Sequence, residues 1–167
     1  HKPCMGEPVY PFGEWVSITL TYEQSTKTSR FYLNGKFVDA KIQNYDPVNI
    51  GDFLTLFTLD PNNSSWRAAY HFWFRTFRMY GKVLSQDEIT KTYVLDQDFT
   101  QPYQPSGVTG KIVELDARES KRNHDKAMNH MYIENLVTGR MDSFWFTDGY
   151  NGDNQPGSGD PNNYMEF

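Results

Sequence analysis

The chain carries a single cysteine, Cys4, so no disulfide can close within it. Cys4 is either a reduced thiol or the partner of a cysteine outside this chain. Long apolar runs are missing as well. A membrane-spanning helix needs ~20 consecutive apolar residues, whereas the longest apolar cluster here is the short one at Phe72, Trp73 and Phe74. There is no excess of positive charge: 16 Lys and Arg stand against 21 Asp and Glu, a net charge of -5. Nucleic-acid binding needs a basic patch that neutralises phosphates, so nucleic acid is not an expected partner. No serine nucleophile elbow, phosphate-binding glycine loop or Cys-His metal spacing occurs. The chain begins at His1, without an initiator Met or a signal peptide. That leads to the expectation of a processed product, a fragment or a segment of a longer polypeptide.

What is present points to β-structure. The 167 residues suit about one domain. Aromatic residues reach 16%, enough to fill a β core or to line a sugar or protein site. From Trp15 to Tyr22 the chain alternates, with Val16, Ile18, Leu20 and Tyr22 on the expected core face and Ser17, Thr19 and Thr21 on the other. Period two with β-branched residues predicts a half-buried strand. In Arg30–Val38, Asn34-Gly35 between two apolar runs predicts a tight hairpin, because a type I′ turn needs positive φ at both central residues. Residues 52–59 read as another strand, and residues 66–80 as one long aromatic strand. Ser85-Gln86-Asp87-Glu88 is a capping box, which predicts a short helix to about Tyr93.

The order of these pieces resembles laminin-G-like and pentraxin-like domains, which are jelly rolls of the concanavalin A-like kind. In that family a Trp strand precedes a hairpin of the form aromatic-hydrophobic-Asn/Asp-Gly. A later strand ends in Tyr, a turn and Leu-Ser-x-x-Glu-Ile. Here those positions are Trp15, then Tyr32 to Gly35, Tyr80, and Leu84, Ser85, Glu88 and Ile89. The match covers residues 14–95. The family often carries a Gly and an acid on the strand before the Tyr, where this chain has Phe72 and Arg75. The resemblance implies an all-β antiparallel sandwich with one short helix near 85–94. It divides the chain into an N-terminal segment 1–13, the sandwich portion 14–95, a linker 96–110, and a loop-rich C-terminal extension 111–167. Within the extension, Lys111–Leu115 and Ser143–Thr147 read as strands, and Ala117–Tyr132 as charged and roughly helical.

The resemblance also implies a non-catalytic binding, adhesion or assembly module of a secreted or surface protein, with carbohydrate recognition as one form. A structural subunit of a larger assembly that keeps the fold without the ligand is the alternative. A glycoside hydrolase would need two carboxylates flanking the scissile bond. On the aromatic strand, no acid lies between Trp66 and Tyr80. Sugar-binding jelly rolls stack pyranose faces on aromatic rings, which makes Tyr70, Phe72, Trp73 and Arg75 the ligand-platform candidates.

Asp148, Asn151, Asp153 and Asp160 are oxygen donors of the kind calcium takes, and rim-loop calcium sites occur in this family. The EF-hand spacing is not met, because positions one, three and five from Asp148 are Asp, Tyr and Gly. A solvated Asx/Gly turn segment is the plainer reading. His124, Met128, His130 and Met131, with His1, are soft donors that suit copper, against ordinary packing of the methionines and exposure of the histidines. Asn62 and Asn63 head two overlapping glycosylation sequons in Asn62-Asn63-Ser64-Ser65.

A complete jelly roll of this family has several strands before the Trp strand, and only 14 residues stand there. Residues 108–147 are expected to add two strands. The rest of the sandwich is then expected from another protein chain or from an upstream half of the same domain. Such a boundary would bury well above ~1,000 Å², with Cys4 the candidate for an intermolecular disulfide across it.

Overall fold

The computed structural model describes residues 13–43, 73–125, 130–145 and 165–166. Among them the chain is all-β and antiparallel, with one short helix. It separates into two compact units. One comprises residues 1–46, 82–98 and 104–109, the other residues 47–81, 99–103 and 110–167.

The first unit contains a three-stranded meander, β1 (Ile18–Glu23), β2 (Thr28–Leu33) and β3 (Lys36–Ile42), with β2 central. The β2–β3 connection is the two-residue turn that Asn-Gly predicts. Asn34 has φ 49° and Gly35 has φ 74°, the twist that matches right-handed strands. Asn34 also anchors the start of β1. Its amide donates to the Ser17 carbonyl at 2.8 Å, and the Ser17 amide donates to Asn34 Oδ1 at 2.9 Å.

The helix α1 (Gln86–Leu95) packs against the same turn. Gln86 Nε2 donates to the Gly35 carbonyl at 2.6 Å. A Cβ at residue 35 would stand 2.9 Å from Tyr93 Cδ1. The capping box is complete, with the Glu88 amide donating to Ser85 Oγ at 3.3 Å and the Ser85 amide donating to Glu88 Oε2 at 2.9 Å. These bonds satisfy amides that a helix start leaves orphaned. Ile89 is the residue of α1 that is fully buried.

The expected core face of β1 is inverted. Ile18 and Leu20 are 54% and 70% exposed, while Thr21 is 8% exposed. Leu20 faces Phe31 across the sheet, and Phe31 on the central strand is buried. The apolar face is thus covered at β2 and open at β1. Period-two alternation separates the two faces of a strand, but which face is covered depends on tertiary neighbours.

The second unit holds β4 (Trp73–Phe74), β5 (Thr76–Tyr80), β6 (Lys111–Asp116), β7 (Arg122–Asp125), β8 (His130–Asn135), β9 (Arg140–Trp145) and β10 (Met165–Glu166). β5 pairs with β6, β7–β8–β9 form a meander, and β4 pairs with β10. Leu115, Ala117 and Ile133 are fully buried at its centre. Asn135 ties β6 to β8: its Oδ1 accepts the Glu114 amide at 3.1 Å and its Nδ2 donates to the Ile112 carbonyl at 3.3 Å.

Three sequence readings are corrected in this unit. The single aromatic strand is broken at Arg75 into β4 and β5, which pair with different strands. The stretch Ala117–Tyr132, read as helical, begins as a turn and continues as β7 and β8. Asp116 makes that turn, with its carbonyl accepting the Ser120 amide at 2.8 Å and Oδ1 accepting the Arg118 amide at 3.0 Å. An aspartate that bonds its own downstream backbone competes with helix. Residues 108–147, expected to supply two strands, supply β6, β7, β8 and β9.

Residues 96–110, expected as a linker, hold no strand or helix, yet bury Phe99, Ser106 and Val108. The expected strand at 52–59 lies outside the described residues.

Gly35→Val should cost about 1–3 kcal/mol through backbone strain alone, and more through the collision with Tyr93. Gly139 has φ 67° with nothing within 4 Å of its added Cβ. Gly139→Ala is therefore a strain-only control. Urea unfolding of the two variants should show the larger loss at residue 35.

Candidate functional site

Two surfaces carry the chemistry that the described residues bring together, one in each unit. In the second unit, β6 places Glu114 and Asp116 two residues apart, so both lie on one face of the strand. Their side chains are 3% and 0% exposed. The facing strand β5 supplies Arg78, whose register partner is Glu114. Arg78 Nε donates to Glu114 Oε1 at 2.8 Å, and its Nη2 lies 3.8 Å from Asp116 Oδ2. Lys111 and Tyr103 share the other Glu114 oxygen, with Tyr103 Oη donating at 2.9 Å. Arg118 grips Asp116 with two bonds, Nε to Oδ1 at 2.9 Å and Nη2 to Oδ2 at 2.7 Å.

Burial would raise the Glu114 pKa, but the bonds from Arg78, Lys111 and Tyr103 outweigh it and hold the carboxyl below its usual range. Burial, and next the bond to Glu114, push the Tyr103 phenol up, so it stays a proton donor.

A cation–aromatic cluster forms in this unit around the buried Phe99, a ring the sequence did not single out. The Arg118 guanidinium lies 4.0 Å from the Phe99 ring centre and 5.9 Å from that of Tyr103, and the Arg75 guanidinium lies 4.8 Å from Phe99. Burial, then Arg118, lower the Arg75 pKa from its ordinary value. Of the expected ligand platform, Arg75 is thus turned onto Phe99, and Trp73 pairs through its backbone with Glu166. Tyr70 and Phe72 lie outside the described residues.

The calcium candidates Asp148, Asn151, Asp153 and Asp160 also lie outside the described residues, as do the sequons at Asn62 and Asn63, Cys4, His1 and Met128. The β7–β8 register sets His124 opposite Met131 and Asp125 opposite His130. No group of three or more metal-binding side chains forms among the described residues.

Glu114 and Asp116 are the pair that the sequence reading missed. The signal was there as the Glu-x-Asp-x-x-Glu spacing of Glu114, Asp116 and Glu119, and the structure leaves Glu119 exposed in the turn after β6. A general acid of a glycosidase needs a carboxyl whose pKa is raised. Glu114 is shifted the other way, and Asp116 is fully engaged by Arg118.

The second surface is the β1–β3 sheet of the first unit. Ile18 and Leu20 are exposed on one of its faces, Phe37 and Ile42 on the other, and Val38 and the preceding Trp15 are exposed as well. All seven residues of β3 are exposed, and among the described strands β3 has a neighbour on one side alone. Thr21 Oγ1 and Tyr22 Oη on β1 are buried without a hydrogen-bond partner among the described residues.

Comparison with known proteins returns no matching family model, no matching curated protein and no matching solved structure. No helix among the described residues is long and apolar enough to cross a membrane.

The lowered Glu114 pKa makes stability depend on pH with a definite sign. The unfolded carboxyl, with a pKa near 4.3, binds protons more readily than the folded one. The stabilisation is therefore present above that value and lost as pH falls through the lower folded pKa. Glu114→Gln should flatten that acid limb in chemical unfolding. At neutral pH it should cost about 3–5 kcal/mol, because it leaves the buried Arg78 short of its counter-charge.

Proposed function

We propose that this chain is a non-catalytic binding module of the laminin-G-like kind, serving adhesion or assembly in a secreted or surface protein. The observation that carries the reading is the β1–β3 sheet, where Ile18 and Leu20 are exposed side by side on one face and Phe37 and Ile42 on the other. Single exposed apolar residues are ordinary, but apolar pairs left open on both faces of a small sheet favour contact with a partner. The exposure of β3 along its whole length favours the assembly form of the reading, in which the partner is a protein.

The ion-paired state of Glu114 and Asp116 supports a structural role for the one pair of buried carboxylates among the described residues. Carbohydrate recognition remains a narrower form of the proposal, resting on the family resemblance of residues 14–95 and on the aromatic content. An extracellular or surface setting rests on the same resemblance.

The test is a pair of substitutions, Ile18→Thr and Leu20→Thr, made together in the full chain. Both sites are exposed, so the unfolding free energy should move by no more than about 0.5 kcal/mol each. Self-association or capture by partner-bearing surfaces should fall sharply, as read by light scattering and surface binding. Unchanged association would remove this face from the reading. Hydrolysis of a polysaccharide that is lost on Asp116→Asn would overturn the non-catalytic assignment.

A further inference from the structure

We infer that β3 is a homotypic pairing edge, through which two copies of this chain join antiparallel about a two-fold axis at Ala40. The inference deepens the assembly reading, on which it rests, by naming the partner as a second copy.

Hydrogen-bond direction comes first. The Gln43 amide donates to the Lys27 carbonyl at 2.8 Å, and the register continues as Ile42 to Thr28, Lys41 to Ser29 and Ala40 to Arg30. In an antiparallel ladder the residues that bond the neighbour alternate with those that do not. Gln43, Lys41 and Asp39 therefore bond towards β2, while Ile42 and Ala40 turn their amides and carbonyls outward, and the alternation ends at the register shift before Val38. The outward Ala40 amide is met by its neighbour's carboxylate, Asp39 Oδ1 at 2.8 Å. A second strand laid along this edge would take those outward groups in register.

Charge then selects the register. With Ala40 opposite Ala40, Asp39 of each copy faces Lys41 of the other, so two opposite-charge pairs form at once. Opposite-charge cross-strand pairs are stabilising. Moving the axis to Asp39 would set Asp39 against Asp39, and like charges directly opposite are unfavourable.

β3 also carries the devices that discourage indiscriminate pairing, namely Lys36, Lys41 and the register shift opposite Phe31 and Tyr32. They select against arbitrary strands and leave the self-complementary register open, because there Lys41 is neutralised. A contact that repeats one patch on both copies closes as a dimer, and strand addition at a sheet edge is an established mode of recognition.

Sedimentation of the full chain over a wide concentration range should show a monomer–dimer equilibrium. Asp39→Lys alone and Lys41→Asp alone should each weaken it by about tenfold or more, since two pairs turn repulsive together. A mixture of the two single variants should associate like the wild type, because every pair is then complementary. The double variant should recover as well. Ala40→Pro, which removes the outward amide at the axis, should abolish pairing. Thermal melting of each variant checks that the fold is intact.

A chain that stays monomeric at every concentration overturns the inference. So does association indifferent to the charge variants. If the Ile18 and Leu20 substitutions abolish association while the charge variants leave it unchanged, the assembly reading stands and edge pairing fails.

Discussion

The Glu114 carboxylate is the group on which the second unit depends. It lies on β6, is almost wholly removed from water, and accepts from Arg78, Lys111 and Tyr103. Its own amide is held by Asn135, so the residue joins the β5–β6 pair to the start of the β8–β9 turn. A buried carboxylate is tolerated only when its lone pairs are met by charge and by hydrogen bonds, and here three donors meet it. Asp116 repeats the solution two residues along, with Arg118 in place of Lys111. The same aspartate makes the turn that sends the chain into β7. Arg118 then reaches Phe99, so one set of cations serves the acids and the aromatic rings together.

The first unit depends on a different constraint, the geometry of Asn34-Gly35. Positive φ at both residues returns the chain tightly enough for β3 to pair with β2. The same turn binds Ser17 through Asn34 and receives Gln86 and Tyr93 of α1 at Gly35. A local turn preference thereby places the start of β1 and the helix around one point. The face of the sheet around Ile18 and Leu20 remains exposed, and with it the outward edge of β3. Function in the proposed sense follows from that division, with packing concentrated on the central strand and apolar area left at the flanks.

Much of this was legible because the determining forces are local. The Asn-Gly turn, the Ser85–Glu88 capping box and the strands around Leu20, Phe31 and Leu115 each follow from a few adjacent residues. Their chemistry permits one backbone conformation far more readily than others. The failures were mostly non-local. Ala117–Tyr132 has a charge pattern that a helix would accept, but the Asp116 turn breaks its start and the pairing of β7 with β8 and of β8 with β9 makes strands of Arg122–Asp125 and His130–Tyr132. The aromatic run divides at Arg75 because its two halves find different partners, β10 and β6. Glu114 and Asp116 were legible as the Glu-x-Asp-x-x-Glu spacing that ends at Glu119, but their neutralisation depends on the facing strand that brings Arg78 to them.

By itself, then, the sequence determined the all-β antiparallel class, the site of the tight hairpin and the beginning of α1, since turn sterics and capping bonds act over a few residues. The tertiary structure alone decided which face of β1 is covered, which acids are neutralised and by which cations, and which of the described strands lies at an edge. Those outcomes depend on residues far apart in the chain, such as Arg78 and Glu114 or Leu20 and Phe31. Burial and ion pairing are set by what lies opposite in space, and a strand's own alternation is the same whichever side its neighbours take.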